Sequence, residues 1–570
     1  LRVARLREDS GYIAVAVAIM LPVLLGLSAF TIDVGNWYVQ ADKIQRAADA
    51  AALAGVTYLP GDLAAAKRQA LATAAANGYT NDGTTVVDPE PVSGNPNQLQ
   101  VTITTYVDNT FGKLLGLDTE KLIRTAVANY QAPLPLGSPC NEFGDGPDPT
   151  IGAVNQRSSN CSSAGAFWAN VGSPQAAKSY GDAYQDGACA TSVGGTDNCA
   201  GSNSDYSTNG YFYSIKVTQA VTGLTVQAFD PAFVSVGDLC SSNFGSGATA
   251  AVNAKNSNNY KFGTSAATAS YTQDNQLYAP GQSGKYCTGD QLYTNPANQP
   301  PDTTYTVRQP SATSNPWDPT SYPVVTSCTK SFTGYSGDLY SALNQYNQVN
   351  GVVTYPLTAS STYQPAVANE FRQWVTLCTF TGTVAPGTYF IQVQSNAPGN
   401  NPNGDGHNRF AMRAYGSGPA DNAAISISGY TDMAMYADLP SAHTRFYLTQ
   451  VQPGAAGQIL QVRLFDIGDS SQPGTVTVNP PADSGLSSFT GCVGAGPTAG
   501  PLSNCSIVAN SSYNGKWQTI SVPIPTTYTC NYQSVTGCWV TLTYDYGSGQ
   551  PSDTTSWQAS IDGTPVRLTK

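Results

Sequence analysis

The chain reads as an α+β protein. It has a long N-terminal transmembrane helix, a small helix-and-sheet region beside the membrane, and two tandem antiparallel β-sandwich modules of jelly-roll-like form. Three observations carry that reading. The stretch Gly11 to Ile32 has no charged residue between Asp9 and Asp33, enough to cross a hydrocarbon core of ~30 Å as a helix of about 20 residues. Charged residues make up only 11% of the chain, and 33 Tyr accompany abundant Ser, Thr, Asn and Gly; that balance favours strands and turns. In the C-terminal half, strand-like segments recur in the same order, as a duplicated module requires.

Arg2, Arg5 and Arg7 precede the apolar run, while Asp33, Trp37 and Tyr38 follow it. The positive-inside bias makes 1–9 a cytoplasmic tail and 10–32 a transmembrane helix in a cell membrane. The bulk of the chain then lies extracytoplasmic or at the cell surface. A cleaved signal peptide is the first alternative, but its apolar region is shorter and ends at an A-x-A-like site, which Leu27-Ser28-Ala29 only approximates. A buried core helix and a re-entrant segment broken at Pro22 are the others.

From Asp33 to Gly55 the chain is Ala-rich and free of Pro, so the helix is expected to continue to Gly55. A second helix follows Pro60-Gly61, with Asp62 as N-cap and Gly78 as its stop. Strands are expected at Thr84 to Val87, Leu99 to Val107 and Leu122 to Tyr130, with a short helix from Thr110 to Leu117. Residues 33–131 thus form a membrane-proximal helix-plus-sheet region.

Ser10 to Gly55 holds a small residue plus Gly before the apolar run, Leu21-Pro22 inside it, Asp33-x-Gly35 after it, and Gln45-Arg-Ala-Ala-Asp-Ala-Ala-Ala-Leu-Ala-Gly55. This string resembles the N-terminus of TadE/TadG-like proteins of the tight-adherence (Flp) pilus system. Pilins and TadE-type pseudopilins carry Glu at the fifth position after the cleaved Gly; here that position is Ala16, so the TadG-like branch fits better. The von Willebrand A domain often found in that branch needs a D-x-S-x-S run, which Asp205-Tyr-Ser207-Thr-Asn209 breaks. The resemblance implies a bacterial cell membrane as the setting and pilus or pilus-assembly proteins as partners, with the lipid bilayer contacted through 10–32.

Residues 132–204 read as a Pro/Gly/Cys-rich linker and irregular lead-in. Next, Tyr211–Val217 and Leu224–Asp230 match Arg445–Val451 and Leu460–Asp466, aligning Phe212 with Phe446 and Phe229-Asp230 with Phe465-Asp466. Trp374–Leu377 and Gly387–Gln394 match Trp517–Ile520 and Gly537–Tyr544. Two modules follow, 205–418 with an insertion at 241–325, and 421–570.

No catalytic constellation emerges, so no enzyme is expected. There is no G-x-S-x-G, the two histidines are His407 and His443, and Glu370 is the last glutamate, read as a charge before a strand. The net charge of −11 without an outer basic patch excludes nucleic acid. Calcium is the one metal with a case: Asn401, Asn403 and Asp405 alternate like the start of a D-x-N-x-D-G loop, and Asp230, Asp466 and Asp469 follow apolar strands. A plain hairpin loop and turn-capping aspartates explain the same residues. Tyr260, Tyr271, Tyr278, Tyr286 and Tyr293 suggest a surface glycan as ligand, the basis of the alternative: a membrane-tethered carbohydrate-binding protein independent of pili. The 12 cysteines, all beyond the anchor, are expected to pair locally in an oxidising compartment. The pairs are Cys140–Cys161, Cys189–Cys199, Cys240–Cys287, Cys328–Cys378, Cys492–Cys505 and Cys530–Cys538, with Cys287–Cys328 as the alternative across the insertion.

Overall fold

A computed structural model describes residues 9–569 apart from 60–61, 94, 96, 132, 145–166, 190–200, 231–234, 237–290, 293–300, 312, 335–347, 350–351, 354–363, 372–373, 397–405, 439–442, 471, 549–551 and 564–565. The chain divides into two compact units: Leu1–Ala132 with Thr564–Lys570, and Pro133–Gly563.

In the first unit, helix α1 (Asp9–Val56) runs unbroken through the apolar stretch and the Ala-rich segment behind it, with Pro22 in its interior and no re-entrant turn there. None of the side chains from Tyr12 to Ile32 is buried. Two polar side chains in this stretch, Ser28 and Thr31, donate to the carbonyls of Leu24 and Leu27 at 2.8 Å each, which satisfies their hydroxyls where no water would reach. Helix α2 (Leu63–Ala76) starts where the Asp62 carboxylate accepts the Ala65 N–H at 2.8 Å. It ends at Asn77, just before Gly78 in the left-handed region.

Val86–Pro91 (β1), Gln98–Asp108 (β2) and Thr119–Tyr130 (β3) form an antiparallel sheet. β1 begins later than Thr84 because the Asp82 carboxylate folds the preceding turn, accepting the N–H groups of Thr84 and Thr85 at 3.0 and 2.8 Å. Ala47, Ala48, Ala51 and Ala52 of α1 pack against Ala66, Ala70 and Ala74 of α2 and against Leu99, Val101 and Ile103 of β2. The small side chains let the helix backbones approach closely.

The last strand of the chain, Val566–Thr569, pairs with β3. The division therefore differs from the expected module at 421–570, because residues 564–570 return to the first unit. Four residues after a turn carry too little alternation to be told from the end of a sandwich.

The second unit is a duplication. Its first copy contains β4 (Pro135–Leu136), β5 (Trp168–Gly172), β6 (Tyr211–Val217), β7 (Val221–Phe229), β8 (Asp302–Arg308), β9 (Val324–Phe332), β10 (Trp374–Val384), β11 (Gly387–Asn396) and β12 (His407–Tyr415). Its second copy contains β13 (Ile425–Tyr430), β14 (Asp432–Asp438), β15 (His443–Gln450), β16 (Ile459–Phe465), β17 (Gly474–Asn479), β18 (Ser506–Ala509), β19 (Trp517–Pro523), β20 (Trp539–Asp545) and β21 (Ser552–Ile561). Short strands of two or three residues supplement these.

Antiparallel pairing builds two sheets, each running through both copies. One has the order β9-β8-β11-β6-β13-β4-β15-β20-β17-β18. The other has the order β10-β7-β12-β5-β14-β21-β16-β19. Reading either from its two ends gives corresponding strands, with one exception. The opening strands are exchanged: β4 of the first copy lies beside β15 of the second, and β13 of the second lies beside β6 of the first. The sheets are arranged like a sandwich over one shared core, with Tyr213 meeting Phe410 at 6.1 Å and Phe446 meeting Trp557 at 5.8 Å.

Phe229 lies opposite Trp374, and Phe465 lies opposite Trp517. The ring centroids are 5.5 and 5.2 Å apart, both pairs tilted by 54°. An arginine covers each indole, Arg413 at 4.1 Å and Arg463 at 4.4 Å, a stack adding about 0.5–2 kcal/mol beyond the area it buries.

Three expectations need correction. The insertion at 241–325 is bounded too widely, since β8 (Asp302–Arg308) lies within it, pairs with β9 and β11, and buries Tyr305 and Val307 in the core. The lead-in is not merely irregular, since β4 and β5 lie at the centre of the two sheets and every residue of β5 is buried. Phe212 is not the core counterpart of Phe446, because a bulge between Tyr447 and Thr449 shifts the second copy by one residue. Phe446 thereby faces the core as Tyr213 does, while Phe212 packs on Phe390 outside it.

Candidate functional site

The apolar run of α1 ends on a built junction. Asp33, its first charged residue, is buried and accepts three backbone N–H groups: Thr110 at 2.7 Å, Phe111 at 3.0 Å and Gly112 at 2.6 Å. Burial pushes its carboxyl up, but the bonds from Gly112, Thr110 and Phe111 together hold it below the ordinary aspartate range. One turn further on, Trp37 Nε1 donates to Asn109 Oδ1 at 2.7 Å. The Asp33-x-Gly35 motif thus fastens α1 to the 109–118 loop. A Cβ at Gly55 would lie 2.6 Å from Leu99 Cδ2, 2.7 Å from the Ala66 carbonyl oxygen and 2.9 Å from Ala70 Cβ, so the final Gly of the motif sets the approach of α2.

The second unit holds a buried polar cluster where its two copies meet. Asp182 accepts the N–H groups of Gly172, Gln185 and Tyr184 at 2.8, 2.9 and 3.1 Å, and the Tyr211 hydroxyl as well. His407 Nε2 lies 2.9 and 3.0 Å from the two carboxylate oxygens of Asp186. Asp182, Asp186 and His407 are all fully buried. The sequence places His407 in a Gly/Asn turn, whereas it opens β12 in the interior. The cluster ties the segment after β5 to β6 and β12.

Beside it, Asp432 accepts the Thr431 hydroxyl at 3.2 Å. Burial pushes its carboxyl up to about 7, the Thr431 bond opposes the rise, and the Asp182 charge adds to it. An unfolded aspartate titrates near about 3.9. Below that pH both states are protonated and nothing is lost. Between about 4 and 7 the folded state keeps a proton that the unfolded state has released, so stability falls as pH rises through this window. Asp432→Asn is expected to raise stability by about 1–3 kcal/mol at pH 8 and to change little at pH 4. Thermal melts at the two pH values check this; equal effects at both would count against it.

Asp230 and Asp466 are buried at matching ends of β7 and β16. Asp230 accepts the Asn408 amide at 3.0 Å, and Asp466 accepts the Gly515 N–H while its own N–H donates to the Lys516 carbonyl at 3.1 Å. The Asn514 amide, in the orientation that satisfies its neighbours, donates to Asp469 at 3.2 Å. Among the described residues, no three His, Cys, Asp or Glu side chains group to hold a metal ion. Asn401, Asn403 and Asp405 lie outside the described residues, as do the five tyrosines of the insertion. His443 is exposed on β15, 3.6 Å from Asp545. Glu370 ends a short helix, Pro365–Glu370, and accepts the Thr333 N–H at 3.4 Å.

Cys328–Cys378 links β9 to β10, the outer strands of the two sheets in the first copy. Cys492–Cys505 occupies the comparable outer end of the second copy, and Cys530–Cys538 closes the loop before β20. Each such closure contributes on the order of 2–4 kcal/mol. Cys140 and Cys189 are disulfide-bonded too; Cys161, Cys199, Cys240 and Cys287 lie outside the described residues.

An exposed apolar helix that continues into a small packed unit is the form of a membrane-associated protein; the second unit is a disulfide-linked antiparallel sandwich. Residues 11–76 match the family described as putative Flp pilus-assembly TadE/G-like, so this N-terminal segment is TadE/TadG-like. The match ends where α2 ends and covers Asp33, the Ala stripe and Gly55. No curated protein and no solved structure matches the chain.

Proposed function

We propose that the chain is a TadG-like component of a Tad/Flp pilus or a pilus-like assembly. It is held by α1 with its N-terminus in the cytoplasm. The double sandwich outside serves as a structural or adhesive head, not as a catalyst. The observation that carries this reading is the family match across α1 and α2, joined to a helix whose apolar stretch Tyr12–Ile32 is unburied and whose second half is packed. The disulfides support an extracytoplasmic head, since such bonds persist in oxidising compartments. Cells lacking the chain should show fewer surface pili or weaker attachment, restored by the full chain. Unchanged piliation and attachment would defeat the proposal, and unchanged piliation with lost glycan binding would favour the carbohydrate-binding alternative.

A further inference from the structure

The loop that Asp33 holds carries an unpartnered face. Asn109 N–H donates to the Asp118 carbonyl at 2.9 Å, Leu117 N–H donates to Gly112 at 3.0 Å, and Asn109 Nδ2 donates to Leu117 at 2.9 Å. Gly116, in the left-handed region, turns the chain. This closed loop leaves Leu114 83% and Leu117 61% exposed, with Lys113 directly before Leu114 and 3.8 Å from Asp108. Two leucines on so tightly fastened a loop are not loose chain; each holds apolar surface in water at about 25 cal/mol per Å².

The height of the loop along α1 is set by its bonds. The carboxylate that grips residues 110–112 belongs to the residue directly after Ile32, where the lipid-facing stretch stops. Tyr38, 74% exposed, lies on the next turn of α1, at the level where aromatic side chains mark a membrane interface. The exposed leucines therefore belong to a loop fastened to α1 at the residue where its lipid-facing stretch ends.

We propose that the 110–117 loop is a second membrane contact. Leu114 and Leu117 enter the boundary between headgroups and acyl chains of the leaflet at the Asp33 end of α1, and Lys113 reaches the lipid phosphates. The contact rests on α1 crossing the bilayer. It fixes the rotation and tilt of α1 and holds the first unit in one orientation to the membrane, which a single helix alone does not do.

The test uses the full chain in nanodiscs of phosphatidylcholine and phosphatidylglycerol, with a nitroxide on one introduced cysteine at a time. None of the described cysteines is free to compete for the label. Leu114→Cys is the probe. Gly26→Cys, where an added Cβ meets nothing within 4 Å, reports the anchor, and Leu568→Cys, an exposed leucine paired with the far end of β3, reports the aqueous side. The expected result is several-fold greater relaxation by oxygen than by a soluble nickel chelate at positions 26 and 114, and the reverse at 568. Label 114 behaving like label 568 overturns the proposal while leaving the anchor intact. Label 114 shielded from both reagents also overturns it, since a protein partner or second copy then covers the leucines. An aqueous label at 26 removes the anchor and the loop contact together.

Discussion

Produced alone, residues 425–561 are expected not to fold. The second copy is complete in its count of strands but not in its pairing. Its opening strand β13 is bonded to β6 of the first copy, and the place beside β15 is filled by β4. Removing the first copy also strips β5 from β14, exposing Ala434, Met435 and Tyr436, all buried in the intact chain. Losing those neighbours opens two sheet edges and the apolar face between them, a cost exceeding the 5–15 kcal/mol of net stability usual for a domain. Circular dichroism in the near ultraviolet and denaturant titration check this. The isolated copy should show no cooperative transition, and residues 133–563 together should show one. A cooperative transition in the isolated copy would mean that the exchanged strands are dispensable.

The second large effect is expected at Gly55. Replacing it with Ala raises intrinsic helix propensity by about 1 kcal/mol, so a solvent-facing glycine would be improved by the change. Here the new Cβ would meet a backbone oxygen at 2.7 Å and two side-chain carbons inside 3.0 Å. The carbonyl cannot move without shifting α2. Overpacking of this kind costs about 1–3 kcal/mol and outweighs the propensity gain, and Gly55→Leu should separate α2 from α1 outright. Hydrogen exchange of residues 63–76 is the readout: modestly faster in the Ala variant, unprotected in the Leu variant. Unchanged protection in both would show that the close approach is not needed.

The first unit was legible from sequence because its signals are local. Asp62 and Gly78 mark the ends of α2, and Leu99 to Val107 alternates over enough residues to reveal its buried face. The role of Asp33 was hidden, since its partners are backbone N–H groups at 110–112 and backbone donors leave no side-chain signature. The repeat could be seen in its paired F-D and W-x-T segments, which the fold places in corresponding strands.

What the repeat concealed was its own beginning. β4 spans Pro135–Leu136 only, and β5 reads Trp-Ala-Asn-Val-Gly; neither is long enough to show a period. β12 misled for the opposite reason. Its residues are buried on both faces, including His407, Asn408, Arg409 and Arg413, so the histidine that reads as part of a Gly/Asn turn lies inside. The bulge in β15 defeated the residue-by-residue match because a single extra residue reverses which side chains face the core.

The central claim is that α1 holds the chain in a membrane with the double sandwich outside. Fractionation of cells, an alkaline wash of the membranes and protease added to intact cells test it together. The account predicts that the full chain stays in the washed membrane pellet and that external protease removes the 133–563 unit, leaving a membrane-bound N-terminal fragment. A soluble protein whose N-terminus lies near residue 30 would contradict it.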